Sequence, residues 1–263
     1  MDKHVVHFVG AGPGDPELIT VRGRRLLEAA DLVVYAGSLV PEAVLQWTRD
    51  DARRLDSAGM TLEDIVAAMV TACRRGERVV RLHTGDPSLY GAIFEQMVQL
   101  DAAGVSYAVT PGVTAAFAAA AALQMEYTLP ERCQTLILTR MAGRTPVPET
   151  ESLASLAAHR AAMAIYLSLK QVAAVADILA GAYGPDAPCA VAYRVSHPDE
   201  KLVCCRIADL VARVAAEGIT RQALILVGAA LGARSACNAA SSRLYDAGFS
   251  HGFRKAAVDA DTP

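Results

Sequence analysis

The chain has 263 residues, 53% of them hydrophobic, and carries 25 Lys and Arg against 28 Asp and Glu, a net charge of −3. That length allows one large domain or two small ones, the apolar content excludes a disordered chain, and the slight acidity leaves no electrostatic footprint for nucleic acid. No apolar run reaches the length of a membrane span, and the sequence opens into a strand pattern without signal-peptide character.

The chain order of elements begins with the strand "HVVHFV" (4–9), which runs into "GAGPGDP" and a helix expected over 16–30. "LVVY" (32–35) follows, then a helix opened by Thr61 with Asp64 at the capping-box position. "RVVRLH" (78–83) leads into a helix after Pro87, and "SYAVT" (106–110) into the alanine-rich helix 113–123. Short apolar runs alternating with helical patterns predict a parallel sheet with crossover helices. After a link at 125–132 the pattern restarts with "TLILT" (135–139), "MAIYL" (163–167), "CAVAYR" (189–194), "KLVCCR" (201–206) and "ALILVG" (223–228), separated mostly by helices at 151–159, 170–182 and 208–217. "VSHPDE" leaves no room for a helix, so the strands on either side of it are expected to form an antiparallel hairpin. The fold class expected is therefore α/β: a first domain at 1–124 with a parallel sheet, a second at 125–235 with a mixed sheet, and an extension at 236–263 containing "RLYDAGFSHGFR".

The six cysteines, at 73, 133, 189, 204, 205 and 237, form no C-x-x-C pair, and the six histidines have no ligand spacing. No metal site is expected, and the thiols fit a reducing cytoplasm.

The first loop does not fit a phosphate cradle. A dinucleotide fingerprint needs G-x-G-x-x-G and a bare helix N-terminus. Here the glycines are two apart (Gly10, Gly12, Gly14), Pro13 has no N–H to donate, and Asp15 would repel a phosphate. An acid at that place suits the helix dipole by itself. The second strand ends "VVYAGSL", with Gly37 and Ser38 where an ordinary methyltransferase Rossmann fold has an acid for a ribose. Two more glycine loops, "HTGDPSLYGA" (83–92) and "VTPGVTAAFAAAAAL" (109–123), follow the later strands. All three belong on the rim at the carboxyl ends of the strands, where open α/β sheets bind ligands.

"VGAGPGDPELITVRG", "TGDPSLYGA", "TPGVTA" and "AVAYRVSHPDEK", in this order and spacing, resemble the tetrapyrrole (corrin/porphyrin) methylase family over residues 4–232. "VYAGSLVP", "LTRMAGRTPVPE", "SHPDEK" and "SRLYDAGFSHGFR" are similar to the branch that methylates C11 of precorrin-4 in cobalamin biosynthesis. A cobalt-containing substrate and uroporphyrinogen III stand as alternatives.

The resemblance implies two α/β domains with a cleft between them that holds S-adenosyl-L-methionine (SAM), a cytoplasmic homodimer, a tetrapyrrole substrate, and neither nucleic acid nor membrane as partner. Carried over by position, it implies SAM contacts at Pro13, Thr84, Gly85, Asp86, Leu89, Thr114, Ala115, Leu167, Ala192, Tyr193 and Ala223. The substrate's carboxylates call for arginine forks, for which Arg140, Arg144 and, on the first helix, Arg22, Arg24 and Arg25 are candidates, with Ser38 beside them. Asp15 and Asp86 are the candidate acids that would favour the cation developing in the ring. Each is also readable as a helix cap, and no general base is assigned.

Overall fold

A computed structural model describes residues 4–233, 246–250 and 252–256. By packing, the chain divides into one body comprising 1–122 with 194–201, and a second comprising 123–193 and the chain from 202 onward.

The first body is built on a five-stranded sheet. Its strands are β1 (Val5–Gly10), β2 (Leu32–Tyr35), β3 (Arg53–Asp56), β4 (Val79–His83) and β5 (Ser106–Thr110), in the order β3-β2-β4-β1-β5. Every pairing is parallel, as the alternation with helices predicts. Parallel strands are covered on both faces, and both faces are filled. Val9, Val33 and Leu82 pack under α1 (Val21–Ala29) with Leu26 and Leu27. Val6, Phe8 and Val34 pack under α2 (Leu62–Arg74) and α3 (Ile93–Ala102) with Ile65, Met69 and Leu100. Phe8, Leu27, Met69, Leu82 and Leu100 are fully buried, each contributing about 1.5–3 kcal/mol. The helices that follow β1 and β4, neighbouring strands, thus lie on opposite faces, the arrangement that opens a crevice at the strand ends.

The helix expected over 16–30 is two elements. A 3-10 turn spans Pro16–Leu18, and α1 starts afresh because the Thr20 hydroxyl accepts from the Gly23 N–H at 3.0 Å. Thr61 caps α2 as expected, accepting from the Asp64 N–H at 3.2 Å. The alanine-rich α4 (Ala115–Ala122) buries Ala116, Ala118, Ala119 and Ala120.

The second body carries β6 (Leu136–Arg140), β7 (Ala162–Tyr166), β8 (Pro188–Tyr193), β9 (Lys201–Arg206) and β10 (Ala223–Val227), in the order β6-β7-β10-β8-β9. β6 and β7 are parallel, whereas β10 runs antiparallel to both β7 and β8, so the sheet is mixed. β8 and β9 lie side by side, and the short link 194–200 between them makes them a hairpin. α5 (Leu153–Ala157), α6 (Val172–Tyr183) and α7 (Leu210–Ala216) close over a core of Met163, Ile165, Leu179, Ile207, Leu210 and Ile225. Among the described residues no helix is long and apolar enough to cross a membrane. Most of the extension at 236–263 lies outside the described residues; in the part that is described, Arg254 Nη2 donates to the Asp246 carbonyl.

Candidate active site

Three loops leave the carboxyl ends of β1, β4 and β5, strands adjacent in the first sheet. Glycine lets their backbones meet. A Cβ on Gly10 would lie 2.6 Å from Gly112 Cα and 2.6 Å from the Gly85 carbonyl oxygen. One on Gly112 would fall inside the van der Waals envelope of that same oxygen. Gly12 and Gly85 adopt left-handed φ values of 80° and 60°, which a side chain disfavours. They exchange hydrogen bonds: the Gly85 N–H donates to the Gly12 carbonyl at 2.7 Å, and the Gly12 N–H to the Gly85 carbonyl at 3.3 Å. The rim is thus a junction of bare backbone.

Asp86 ties the second loop to the third. Its Oδ2 accepts from the Gly112 N–H at 2.9 Å and its Oδ1 from the Ser88 N–H at 2.8 Å. Both oxygens are therefore committed to backbone. Among the described residues Asp15 is committed on one side only: Oδ1 accepts from the Glu17 N–H at 2.8 Å, capping the 16–18 turn. Pro13 is buried, Thr84 exposed and Leu89 half-buried. Thr114 is buried, and its carbonyl starts α4 by accepting from the Phe117 N–H, with Ala115 the first helical residue. Tyr90 and Ala92 hold left-handed φ values of 57° and 48°, and strain of this kind gathers at binding loops.

The last residues of β4 and β5 add an unusual pair. His83 Nε2 and Thr110 Oγ1 are buried with no hydrogen-bond partner among the described residues. Burial, with the Arg81 charge, holds the His83 imidazole down at about 3, so it is neutral at physiological pH.

At the end of β2, Ser38 is exposed. The acid that this strand lacks comes from its neighbour: Asp56, on β3, accepts from the Gly37 N–H at 2.8 Å. On α1, Arg24 pairs with Glu28 at 2.7 Å and lies over the Trp47 ring at 3.9 Å from its centroid. Arg22 and Arg25 stand exposed on the same helix.

The second body gathers the remaining candidates at one end of its sheet. Ala223 pairs with Tyr193 and Leu224 with Ala192. Ile225 pairs with Ile165, so the antiparallel register brings Leu167 opposite Ala223. Leu167 is 73% exposed with a φ of 54°, an uncovered large apolar side chain on strained backbone. Arg140 ends β6 at the same edge. Its Nη2 donates to the Pro146 carbonyl at 2.7 Å and its Nη1 to the Thr145 carbonyl at 3.1 Å, bracing the loop that carries the exposed Arg144.

Sequence reasoning found the loops through their glycines but missed that Gly10 and Gly112 touch, and it missed Asp56. No local signal marks either, because both depend on strand order.

A family model for tetrapyrrole (corrin/porphyrin) methylases matches residues 5–211. The precorrin-4 C(11)-methyltransferase of Pseudomonas aeruginosa is 49% identical over 249 residues, covering 95% of this chain and 98% of that one. Among solved structures, a cobalt precorrin-4 methyltransferase superposes with a TM-score of 0.85 at 47% identity, over 87% of this chain and 96% of that one. A uroporphyrin-III C-methyltransferase from Thermus thermophilus, complexed with S-adenyl homocysteine, does so with a TM-score of 0.71 at 28% identity, over 86% of this chain and 97% of that one. With the model covering the whole first sheet and four of the five strands of the second, the chain belongs to the tetrapyrrole (corrin/porphyrin) methylases.

Proposed function

We propose that the protein transfers the methyl group of SAM to C11 of precorrin-4, giving precorrin-5 in cobalamin biosynthesis. The observation that carries this reading is the 49% identity, over 95% of this chain, with a precorrin-4 C(11)-methyltransferase. The rim fits SAM by its chemistry. It is bare backbone with a buried neutral imidazole and hydroxyl in want of partners, and it has no phosphate cradle, matching a ligand that has polar ends and no phosphate. Pro13, Thr84, Gly85, Asp86, Leu89, Thr114, Ala115, Leu167, Ala192, Tyr193 and Ala223 would hold it. SAM supplies a methyl on a cationic sulfur, open to displacement by an electron-rich ring carbon.

The chain's own task is positioning and charge, since no covalent enzyme intermediate is needed. Asp86 fixes the second loop against the third. Asp15, with one carboxylate oxygen outside its cap, is the acid that favours the cation developing in the ring, alongside Asp86. Arg22, Ser38, Arg140 and Arg144 receive the substrate's rim carboxylates. A cytoplasmic homodimer is part of this reading. The dimer is supported by Phe94 and Val98, one turn apart on α3 and 73% and 51% exposed.

The cobalt-bearing substrate is the second reading, favoured by the 47% identity to a cobalt precorrin-4 methyltransferase. Incubating the enzyme and SAM with metal-free precorrin-4, with cobalt-precorrin-4 and with uroporphyrinogen III, while following mass gain, tests both. One added methyl on a precorrin-4 form is expected; methylation of uroporphyrinogen III alone would sink the reading.

The two β6-end arginines divide the work. Arg144→Ala is expected to raise the tetrapyrrole KM by about three- to tenfold, the scale of one charge-assisted contact partly exposed to water, with SAM affinity unchanged by calorimetry. Arg140→Ala should add a loss of stability, because it frees the Thr145 and Pro146 carbonyls. Equal loss of affinity for both ligands in the Arg144 variant would remove that residue from the substrate's partners.

A further inference from the structure

The motif "SHPDEK" connects β8 to β9 in the second sheet, yet its residues pack with the first body. They touch the one loop that the reading above makes chemically decisive. The Asp15 N–H donates to Ser196 Oγ at 3.0 Å. Gly14 lies directly under the His197 ring: a Cβ there would sit 2.8 Å from His197 Nε2 and 2.9 Å from Ser196 Oγ. Gly14 is buried for that reason.

The hydrogen bonds fix the tautomer of His197. Arg194 Nη2 lies 3.2 Å from His197 Nδ1. A guanidinium only donates, so Nδ1 accepts and the proton is on Nε2. Pro13, which as a proline offers only a carbonyl, favours the protonated imidazole. Arg194 is itself aimed by Asp199, its Nε donating to Oδ1 at 2.7 Å. The Ser196 N–H donates to Glu200 Oε2 at 2.6 Å. Two residues of the tip take left-handed backbone without being glycine, Arg194 at φ 43° and Ser196 at φ 65°. Such conformations cost on the order of 1–3 kcal/mol each and persist only where the surroundings enforce them.

We infer that Ser196 and His197 are positioning residues for methyl transfer: they clamp Pro13, Gly14 and Asp15 in the working geometry, and the clamp closes only while His197 is neutral. The inference rests on the functional reading given to the Asp15 loop. Protonating Nδ1 would set two donors against each other at Arg194 and open the clamp. The charged groups about His197 are Arg194 and Asp199 on its own segment, with Glu200 at the base, and Asp15 on the facing loop. Burial first, then the Arg194 charge, lower the His197 titration from 6.5, with Asp199 and the Pro13 carbonyl opposing. The clamp is therefore closed at neutral pH and opens as pH falls below the ordinary imidazole value.

Amide hydrogen exchange and pH–rate profiles of the whole enzyme test this. Ser196→Ala is expected to speed exchange of the Asp15 amide by about tenfold and to lower kcat on a similar scale, the size of one lost hydrogen bond. His197→Ala should do the same. His197→Gln, whose amide offers an acceptor and a donor without titrating, should recover most of what the Ala variant loses and remove the part of the acid limb that begins below pH 6.5. Unchanged Asp15 exchange in Ser196→Ala, or a wild-type acid limb in His197→Gln, overturns the proposal. Failure of the underlying reading shows elsewhere, as full activity in Asp15→Asn with exchange undisturbed.

Discussion

Gly112→Ala is expected to lower stability by about 3 kcal/mol, at the upper end of overpacking in a close-packed site, and to abolish SAM binding. The added methyl would collide with the Gly85 carbonyl oxygen. That oxygen accepts from Gly12, and Gly85 also donates to Gly12. Relief by moving Gly85 therefore opens the first loop, and relief by moving Gly112 pulls its N–H off Asp86 Oδ2. Neither neighbour is a flexible side chain. Gly181→Ala is the control: it lies within α6, and a Cβ there meets nothing within 4 Å. It should stabilise by about 0.5–1 kcal/mol, the ordinary helix-interior gain. Denaturant unfolding with SAM titration calorimetry checks both. A Gly112→Ala protein that binds SAM normally would show that the three loops need not meet.

Asp15→Asn is expected to fold normally and bind SAM, yet to lose kcat by about two orders of magnitude, the scale of one well-placed electrostatic group. The cap survives, because Asn accepts from the Glu17 N–H about as well as Asp does. Only the charge is removed. The contrast with Asp86 sharpens the expectation. Asp86 spends both oxygens on the Ser88 and Gly112 N–H groups, so Asp86→Asn should weaken SAM binding through the loops as well as turnover. Single-turnover methylation of precorrin-4 is the measurement. Near wild-type turnover would return Asp15 to the role of a cap.

The strands that sequence reading found in the first body are those with continuous apolar runs, such as "VVHFV" and "VVRLH", which parallel sheets bury on both faces. The strand it missed, "RRLD", is an edge strand with only Leu55 partly covered, so it has neither an apolar run nor an alternation to detect. The helix it drew too long broke at Thr20, whose hydroxyl caps a fresh start of α1 by accepting from the Gly23 N–H. In the site, glycine and proline spacing located all three loops, because backbone exceptions are written locally. What joins those loops is not: Asp86 reaches Gly112 across 26 residues, and Asp56 serves Gly37 from a strand whose neighbour was unknown. "SHPDEK" read as a turn, which it is; the contact with Asp15 required the fold.

That contact spans 181 residues of chain. During synthesis the five strands of the first sheet are complete once Thr110 has emerged, and bodies of this kind generally fold as they emerge, the N-terminal one first. The first loop then waits, uncovered, until the segment 194–201 has been made and delivered at the end of β8. The body that folds earliest therefore receives the Ser196 contact on its first loop late, and a nascent chain can hold a nearly finished first sheet long before it can position Asp15.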